Sequence, residues 1–232
     1  MRVTAIIVAR GGSQRVPGKA LRPFGDSTLI GHKIEQLKQC KRITDIVVGS
    51  DCDDILLEAS KHGASVRRRD AYHCDESKCS ANEMIRNMVA MVETDVVVWA
   101  HPTNPLCMPD IYDSAVEKYL SLSSIKTPEL MRDSLCSVSK VKRHAWGLDR
   151  EPINFNPWAE RHPLASELEP VFYQNGAIFI QPHRQMLENS YFYGKRPLLF
   201  EIAAPYDIDI DTERDLHIAR AIDTAMRAEV SA

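Results

Sequence analysis

The sequence predicts an α/β fold with a mostly parallel central sheet, on three observations. Short, continuous apolar runs of strand length recur through the first half of the chain, as strands buried on both faces require. Each is followed by a segment whose apolar residues return at helical spacing. The resulting βαβαβαβα rhythm calls for crossover helices packed on both faces of one sheet.

The elements follow in order. Val3-Thr4-Ala5-Ile6-Ile7-Val8 is a buried strand that stops before a Gly pair. Leu29, Ile30, Ile34 and Leu37 mark a helix over 29–37. Residues 45–50 form a second strand, and Asp51 is placed to cap a helix carrying Ile55, Leu56 and Ala59 on one face. A short third strand lies at 64–66, and Ser80 is placed to cap a helix with Met84, Ile85, Met88 and Met91. Asp95 to Ala100 is a strand closed by Pro102, and Pro109 suits the first position of a helix running to about Tyr119. Beyond residue 120 the rhythm weakens. Strands are expected at 133–141, 176–180 and 197–203, while the Pro-, Asn- and His-rich stretch 146–169 reads as an excursion from the core. Ile208-Asp209-Ile210-Asp211 leads as a strand into a last helix with Leu216, Ala219, Ile222 and Met226. Residues 1–232 thus read as a single domain with an insertion at about 142–172.

Composition excludes several function classes. The 232 residues carry 29 Lys+Arg against 32 Asp+Glu, a net charge of −3, with 44% hydrophobic and 26% charged residues. Those fractions are those of an ordinary folded domain rather than a disordered or fibrous chain. A mildly acidic total argues against a nucleic-acid binder, which needs a basic face. No stretch approaches the roughly 20 apolar residues of a membrane span, and the first apolar run is too short for a signal peptide. The six cysteines (Cys40, Cys52, Cys74, Cys79, Cys107, Cys136) lack a disulfide framework. Free thiols in the reducing cytoplasm are expected. Cys74 and Cys79, with His73, have no second ligand pair nearby, so a zinc site is not expected.

Chemistry gathers at two places. In open parallel sheets ligands bind beyond the carboxyl ends of strands, and the first such end is the loop from Ala9 to Lys19. Its glycines allow tight turns and close backbone approach to phosphate, while Arg10, Arg15 and Lys19 supply positive charge. It matches neither a Walker A loop nor a G-x-G-x-x-G loop, and a solvated basic turn is the plainer alternative. The second place is the alternation of Asp207, Asp209 and Asp211. In a strand, residues two apart share a face, so Asp209 and Asp211 are placed to hold one hard divalent cation; capping of the last helix by Asp211 or Thr212 is the alternative. A cationic Gly-rich loop beside paired carboxylates suits a nucleoside triphosphate with Mg2+.

Ordered motifs carry a resemblance. Ala9 to Lys19 resembles the A-R-G-G-S-x-x-x-P-G-K signature of the acylneuraminate cytidylyltransferases, which activate sialic acids and related sugars with CTP. Pro102-Thr103-Asn104-Pro105-Leu106, Asn175-Gly176-Ala177-Ile178-Phe179-Ile180 and Ile208-Asp209-Ile210-Asp211-Thr212 resemble that family's Q-x-T-S-P-L, N-G-A-I-Y-I and I-D-I-D-T segments. Asp133 to Val138 with Lys142-Arg143-His144 resembles its D-S-x-x-S-V strand and basic turn, so the likeness spans about residues 3–216. It implies a three-layer, Rossmann-like nucleotidyltransferase fold and a homodimer in which the insertion serves as dimerisation arm. Arg10, Lys19 and Asp211 are the implied catalytic residues. Arg10, Gly11, Gly12, Ser13, Lys19, Arg69 and Ser80 would bind CTP, with Arg67, Arg68 and Ser77 as alternatives in the looser middle stretch. Asp209 and Asp211 would hold Mg2+. His101, Thr103, Asn104, Lys142, Gln174 and Asn175 would meet an acidic nine-carbon or eight-carbon sugar.

Departures from the family pattern fall mainly on the sugar side. The Asn after the loop lysine is Ala20, the Gln before P-T-S-P is His101, and its Ser is Asn104. Ser166 stands where the family places an arginine, leaving Arg161, Lys142 or Arg143 to supply that charge. The resemblance therefore implies cytidylyl transfer to a sialic acid or related nonulosonic acid. A 3-deoxy-octulosonate, legionaminate or pseudaminate acceptor, and a non-catalytic nucleotide-binding homologue, are the alternatives.

Overall fold

A computed structural model of the chain describes residues 1–123 and 131–230. In chain order its regular elements are β1 (Val3–Val8), β2 (Pro23–Phe24), β3 (Ser27–Thr28), α1 (Leu29–Lys38), β4 (Asp45–Ser50), α2 (Asp53–Lys61), β5 (Ser65–Arg68), α3 (Ala81–Ala90), β6 (Val96–Ala100), α4 (Pro109–Ser123), β7 (Ser134–Val141), β8 (Val171–Pro182), α5 (His183–Asn189), β9 (Pro197–Glu201) and α6 (Glu213–Val230). The main sheet runs β5-β4-β1-β6-β8-β7-β9. It is parallel except at β8, which is antiparallel to both β6 and β7. The expected α/β architecture is therefore present. Hairpin β2–β3 and α5 escape the periodicity reading because both are short.

The strands read as unbroken apolar runs because both faces are covered. Val96, Val98 and Ala100 of β6 join the core on one face, and Val97 and Trp99 join the core on the other. A third cluster unites Val16, Phe24 and Leu29 with Ile210, Leu216 and Ala219, seating the Gly-rich loop against α6. Among the described residues no helix is long and apolar enough to cross a membrane.

Helix starts follow local capping chemistry. Thr28 accepts the Gly31 N–H at 3.1 Å to cap α1. Ser80 and Glu83 form a reciprocal capping box on α3. At α2 the expectation fails: Cys52 occupies the cap position without a side-chain bond. Asp51 instead reaches across to accept the Gly11 N–H at 3.0 Å. At α6 Thr212 accepts the Asp215 N–H, and Asp215 accepts the Thr212 N–H at 2.8 Å, which spares the Asp211 carboxylate from capping.

Two irregularities shape the site end of the sheet. The β7–β8 register passes from Cys136↔Phe179 to Val138↔Gln174, so residues 175–178 bulge against Ser137 alone. Gly176 provides the left-handed turn of this bulge at φ 73°. Ser137 fills it, donating to Asn175 Oδ1 at 2.6 Å and accepting the Ile178 N–H at 2.8 Å. Residues 208–211 are not a strand: they pair with no ladder, and Ile210 N–H donates to Thr103 O at 2.8 Å instead. Beyond the bulge β7 and β8 continue as a ribbon to Val141↔Val171.

The ribbon opens into residues 142–170, whose regular features are a short helical turn at Ala165–Glu167 and an isolated antiparallel bridge between Trp146 and Pro152. This segment closes on itself. Lys142 Nζ donates to Ser166 O, and Asn154 Nδ2 donates to Arg143 O and Glu169 O. Trp146, Phe155, His144 and His162 form one aromatic cluster. Trp158, at 91% exposure, and Leu148 stand fully in solvent.

Candidate active site

A cavity of about 640 Å³ opens beyond the carboxyl ends of β1 and β6, the position at which an α/β sheet takes its ligand. Arg10, Ser13, Arg15 and Lys19 line it from the Gly-rich loop, Arg69 and Ser80 from the segment joining β5 to α3, and His101 and Thr103 from the end of β6. The structure thus gathers residues as far apart in sequence as Arg10 and Thr103 into one concave surface. Gly18 turns the loop at φ 62° with open space around it, which sends Lys19 inward.

Charge is ordered across the cavity. Lys19 Nζ donates to Ile210 O at 2.6 Å and lies 4.0 Å from Asp211. Arg15 pairs with the same Asp211 at 2.8 Å. Partial burial lowers the Lys19 pKa, while Asp211 and then Asp209 oppose that shift. At the other wall Arg10 pairs with Glu76 at 2.8 Å. Asp209 is solvent-accessible but crowded by protein; desolvation raises its carboxyl pKa, against a hydrogen bond from Thr103. Ile210 is fully buried between these two acids. The two-residue alternation therefore survives without a strand, and both carboxylates act on Lys19. Among the described residues no cluster of three or more His, Cys, Asp or Glu suits a metal ion. Two carboxylates beside a phosphate-sized cavity nevertheless fit Mg2+, which commonly takes one or two carboxylates and completes its shell with water and phosphate oxygens.

The alternatives in the middle stretch separate cleanly. Arg69 is 1% exposed and donates to His73 O at 2.6 Å while lining the cavity. Arg67 turns away to Met91 O, and Arg68 pairs with Asp53. Ser80 lines the cavity from its cap position and Ser77 does not; both hydroxyls donate to a neighbouring carboxylate, Ser80 to Glu83 at 2.7 Å and Ser77 to Asp75 at 2.6 Å. Cys74 and Cys79 are buried in the same wall, and burial raises both thiols.

The residues expected on the sugar side divide. His101 uses both ring nitrogens internally: Nδ1–H donates to Gly176 O at 2.6 Å, and Nε2 accepts the Trp99 indole N–H at 3.3 Å. A carbonyl only accepts and an indole only donates, so the ring is the neutral Nδ1–H tautomer. Burial lowers its pKa in agreement. Asn104 is fully buried and donates through Nδ2 to Asn175 O at 3.0 Å and Ile208 O at 3.2 Å. Asn175 is held by Ser137 and Ser139. Gln174 and Lys142 lie on the exposed ribbon and its outlet, outside the cavity lining. His101, Asn104 and Asn175 thus bind together the end of β6, the β8 bulge and the 208–211 segment.

Three participants were not read from sequence. Asp51 fixes the loop at Gly11, and its signal was its place at the end of β4. Glu76 faces Arg10 and had no sequence signal. Lys33 lies fully buried on α1, and its signal was a cation between Ile30 and Ile34 on the apolar helical face.

The chain has relatives among known proteins in both sequence and fold. The chain is 29% identical to the CMP-N,N'-diacetyllegionaminic acid synthase of Legionella pneumophila, over 93% of each chain. It is 22% identical to the pseudaminic acid cytidylyltransferase of Campylobacter jejuni, over 96% of each. Among solved structures, a CMP:2-keto-3-deoxy-manno-octonic acid synthetase complexed with CTP shares the fold at a TM-score of 0.69 and 16% identity, covering 97% of this chain and 100% of that one. The cytidylyltransferase profile matches residues 4–221. A sheet-end cavity walled by a cationic Gly-rich loop, with Asp209 and Asp211 acting on Lys19 behind it, is thus accompanied by a sequence match over nearly the whole chain, and the chain belongs to the cytidylyltransferase family.

Proposed function

We propose that the chain transfers CMP from CTP to an acidic 2-keto sugar of the sialic-acid type, releasing pyrophosphate. The single observation that carries the reading is the cavity in which Arg10, Ser13 and Lys19 oppose Arg69 and Ser80, with Asp209 and Asp211 behind Lys19. The legionaminic and pseudaminic acid activities of the two relatives support a nonulosonic acceptor over a generic one.

In this reading the loop residues Arg10, Gly11, Gly12, Ser13 and Lys19 take the triphosphate, and Arg69 and Ser80 meet the cytidine end. The anomeric hydroxyl of the sugar attacks the α-phosphorus in line. The new O–P bond forms as the bond to the bridging oxygen of pyrophosphate breaks, and the hydroxyl proton leaves to solvent. Lys19 and Arg10 offset the charge that grows on the phosphate oxygens. Asp209 and Asp211 would hold Mg2+, which supplies charge neutralisation at the phosphates and acidifies a bound hydroxyl. Thr103 positions Asp209 through its hydroxyl. Retention of Lys19, Asp209 and Asp211 supports an active enzyme over a nucleotide-binding homologue without turnover.

The 142–170 segment is the dimerisation arm in this reading, since its exposed Trp158, Leu148 and Trp146 want cover. Six free thiols suit a cytoplasmic setting. Incubation with CTP, Mg2+ and a panel of nonulosonic and octulosonic acids should release pyrophosphate with one of them. Silence across the panel from folded protein that binds CTP would refute the acceptor class.

A further inference from the structure

We propose that Lys33 is the positioning residue for the acceptor half of the site: its ammonium ties the 101–107 loop to α1, and that loop holds the Asp209–Asp211 segment. The words "acceptor half" rest on the function proposed above; the positioning itself does not.

Lys33 lies on the face of α1 that also buries Ile30, Ile34 and Leu37, and it is fully out of solvent. Its three N–H donors have three acceptors: Asn104 O at 2.9 Å, Tyr112 Oη at 3.0 Å and Cys107 O at 3.4 Å. The Tyr112 ring adds a cation–π contact at 4.9 Å. No carboxylate among the described residues pairs with it. The flanking polar residues of α1 act on the same loop, His32 and Gln36 both donating to Pro105 O, at 3.0 and 2.7 Å. One helical face thus directs the buried Lys33 and Gln36 and the half-buried His32 at one four-residue turn.

That turn is the anchor of the carboxylate segment. Thr103 O accepts the Ile210 N–H at 2.8 Å, and Asn104 Nδ2 donates to Ile208 O at 3.2 Å. Only two residues of the loop separate the Lys33 ammonium from both Ile208 and Ile210. A buried ammonium without a counter-charge is costly, and an apolar side chain of similar volume is often neutral or better for stability. Stability alone therefore does not account for Lys33, whereas fixing the carbonyls of Asn104 and Cys107 does. The Gly-rich loop and α3 make no bond to Lys33, so Arg10, Arg69 and Ser80 are independent of it, while Lys19 and Arg15 meet the carboxylate segment at Ile210 O and Asp211.

The test is Lys33→Met, with Lys33→Gln as a second variant that keeps N–H donors without the charge. Amide hydrogen exchange should quicken about tenfold in peptides covering 101–107 and 206–212 in Lys33→Met, less in Lys33→Gln, and stay unchanged over 81–90. With an accepted sugar acid, kcat/KM for the acid should fall about tenfold while CTP binding by calorimetry is unaltered. Exchange that rises evenly over the domain, or CTP and acid weakening together, would overturn the proposal. So would failure of both variants to fold, because Lys33 would then hold the whole domain and not this loop. The exchange readout needs no turnover, so a wild-type chain inactive on every acid counts against the acceptor reading alone.

Discussion

Glu76 holds Arg10 at 2.8 Å, and Arg10 is a guanidinium that the triphosphate of the proposed reaction needs. Nucleotide binding must therefore break this pair, and Glu76→Gln removes the competitor. The pair is asymmetric: the Glu76 side chain is 80% exposed and that of Arg10 25%. An exposed ion pair is worth about 0.2–1 kcal/mol, so its loss should tighten CTP binding by roughly 1.4- to 5-fold. Asp75 separates this release from a general loss of negative charge. It lines the same cavity but is engaged by Ser77 and Lys78 rather than Arg10, and those contacts hold its carboxyl down to about 2. Calorimetric titration of CTP into wild type, Glu76→Gln and Asp75→Asn at low and high salt decides the matter. The Glu76→Gln gain should exceed the Asp75→Asn gain and shrink as salt screens both. Equal gains in the two variants, or none in Glu76→Gln, would refute the latch.

Asp211→Asn should lower turnover by about 10²–10³, the scale of removing a group that acts on developing charge. CTP affinity measured by calorimetry should not fall with it, because the change also releases Arg15 and Lys19 from their present partner. Lys33 makes folding stability rise with pH. Burial pushes its pKa down to about 8, among Cys107, Cys40, Tyr112 and His32 as the other titrating groups around it. The folded chain then binds fewer protons than the unfolded one between about pH 8 and 10.4, so unfolding free energy climbs by about 2 kcal/mol from pH 7 to 9.5 on this account. Urea titrations of Lys33→Met should lack that part of the climb. If the 142–170 segment is the dimerisation arm proposed above, Trp158→Ser with Leu148→Ser should shift the sedimentation of the protein toward the monomer while its thermal unfolding is unchanged, since both side chains stand in solvent.

Much of this fold was legible because its signals are local. The runs at 3–8, 45–50 and 96–100 are continuous apolar strands since helices cover both sheet faces. Ser80 and Pro109 marked helix starts through chemistry that needs only a few neighbours. The orientation of β8 was not legible: a run such as Gly176 to Ile180 is equally apolar in either direction, and its pairing depends on partners about forty and eighty residues earlier. The 208–211 segment misled for a related reason. Ile208 and Ile210 alternate with two aspartates as in a strand, yet the backbone partner is a loop carbonyl at Thr103 rather than a ladder. Asp51 was assigned the helix cap one residue away from its real task, because capping is visible in sequence while a bond to Gly11, forty residues earlier, is not.

The same distinction runs through the chemistry. Residue types that act on phosphate, such as Arg10 and Lys19, could be chosen from a single loop. What the sequence could not express is that each cation already has an acid opposite it: Glu76 for Arg10, Asp211 for Arg15 and Lys19, and Glu213 for Arg22. A net charge of −3 thus conceals cation–carboxylate pairs gathered around the loop. A loop whose cations are paired in this way pays less for self-repulsion than a bare cluster of four, and it keeps its shape without a polyanion. The cost falls on binding, because a triphosphate must compete with carboxylates for the same guanidinium and ammonium groups. Affinity at this site is therefore set by an exchange of anions, and the acids around the loop govern it as directly as the bases do.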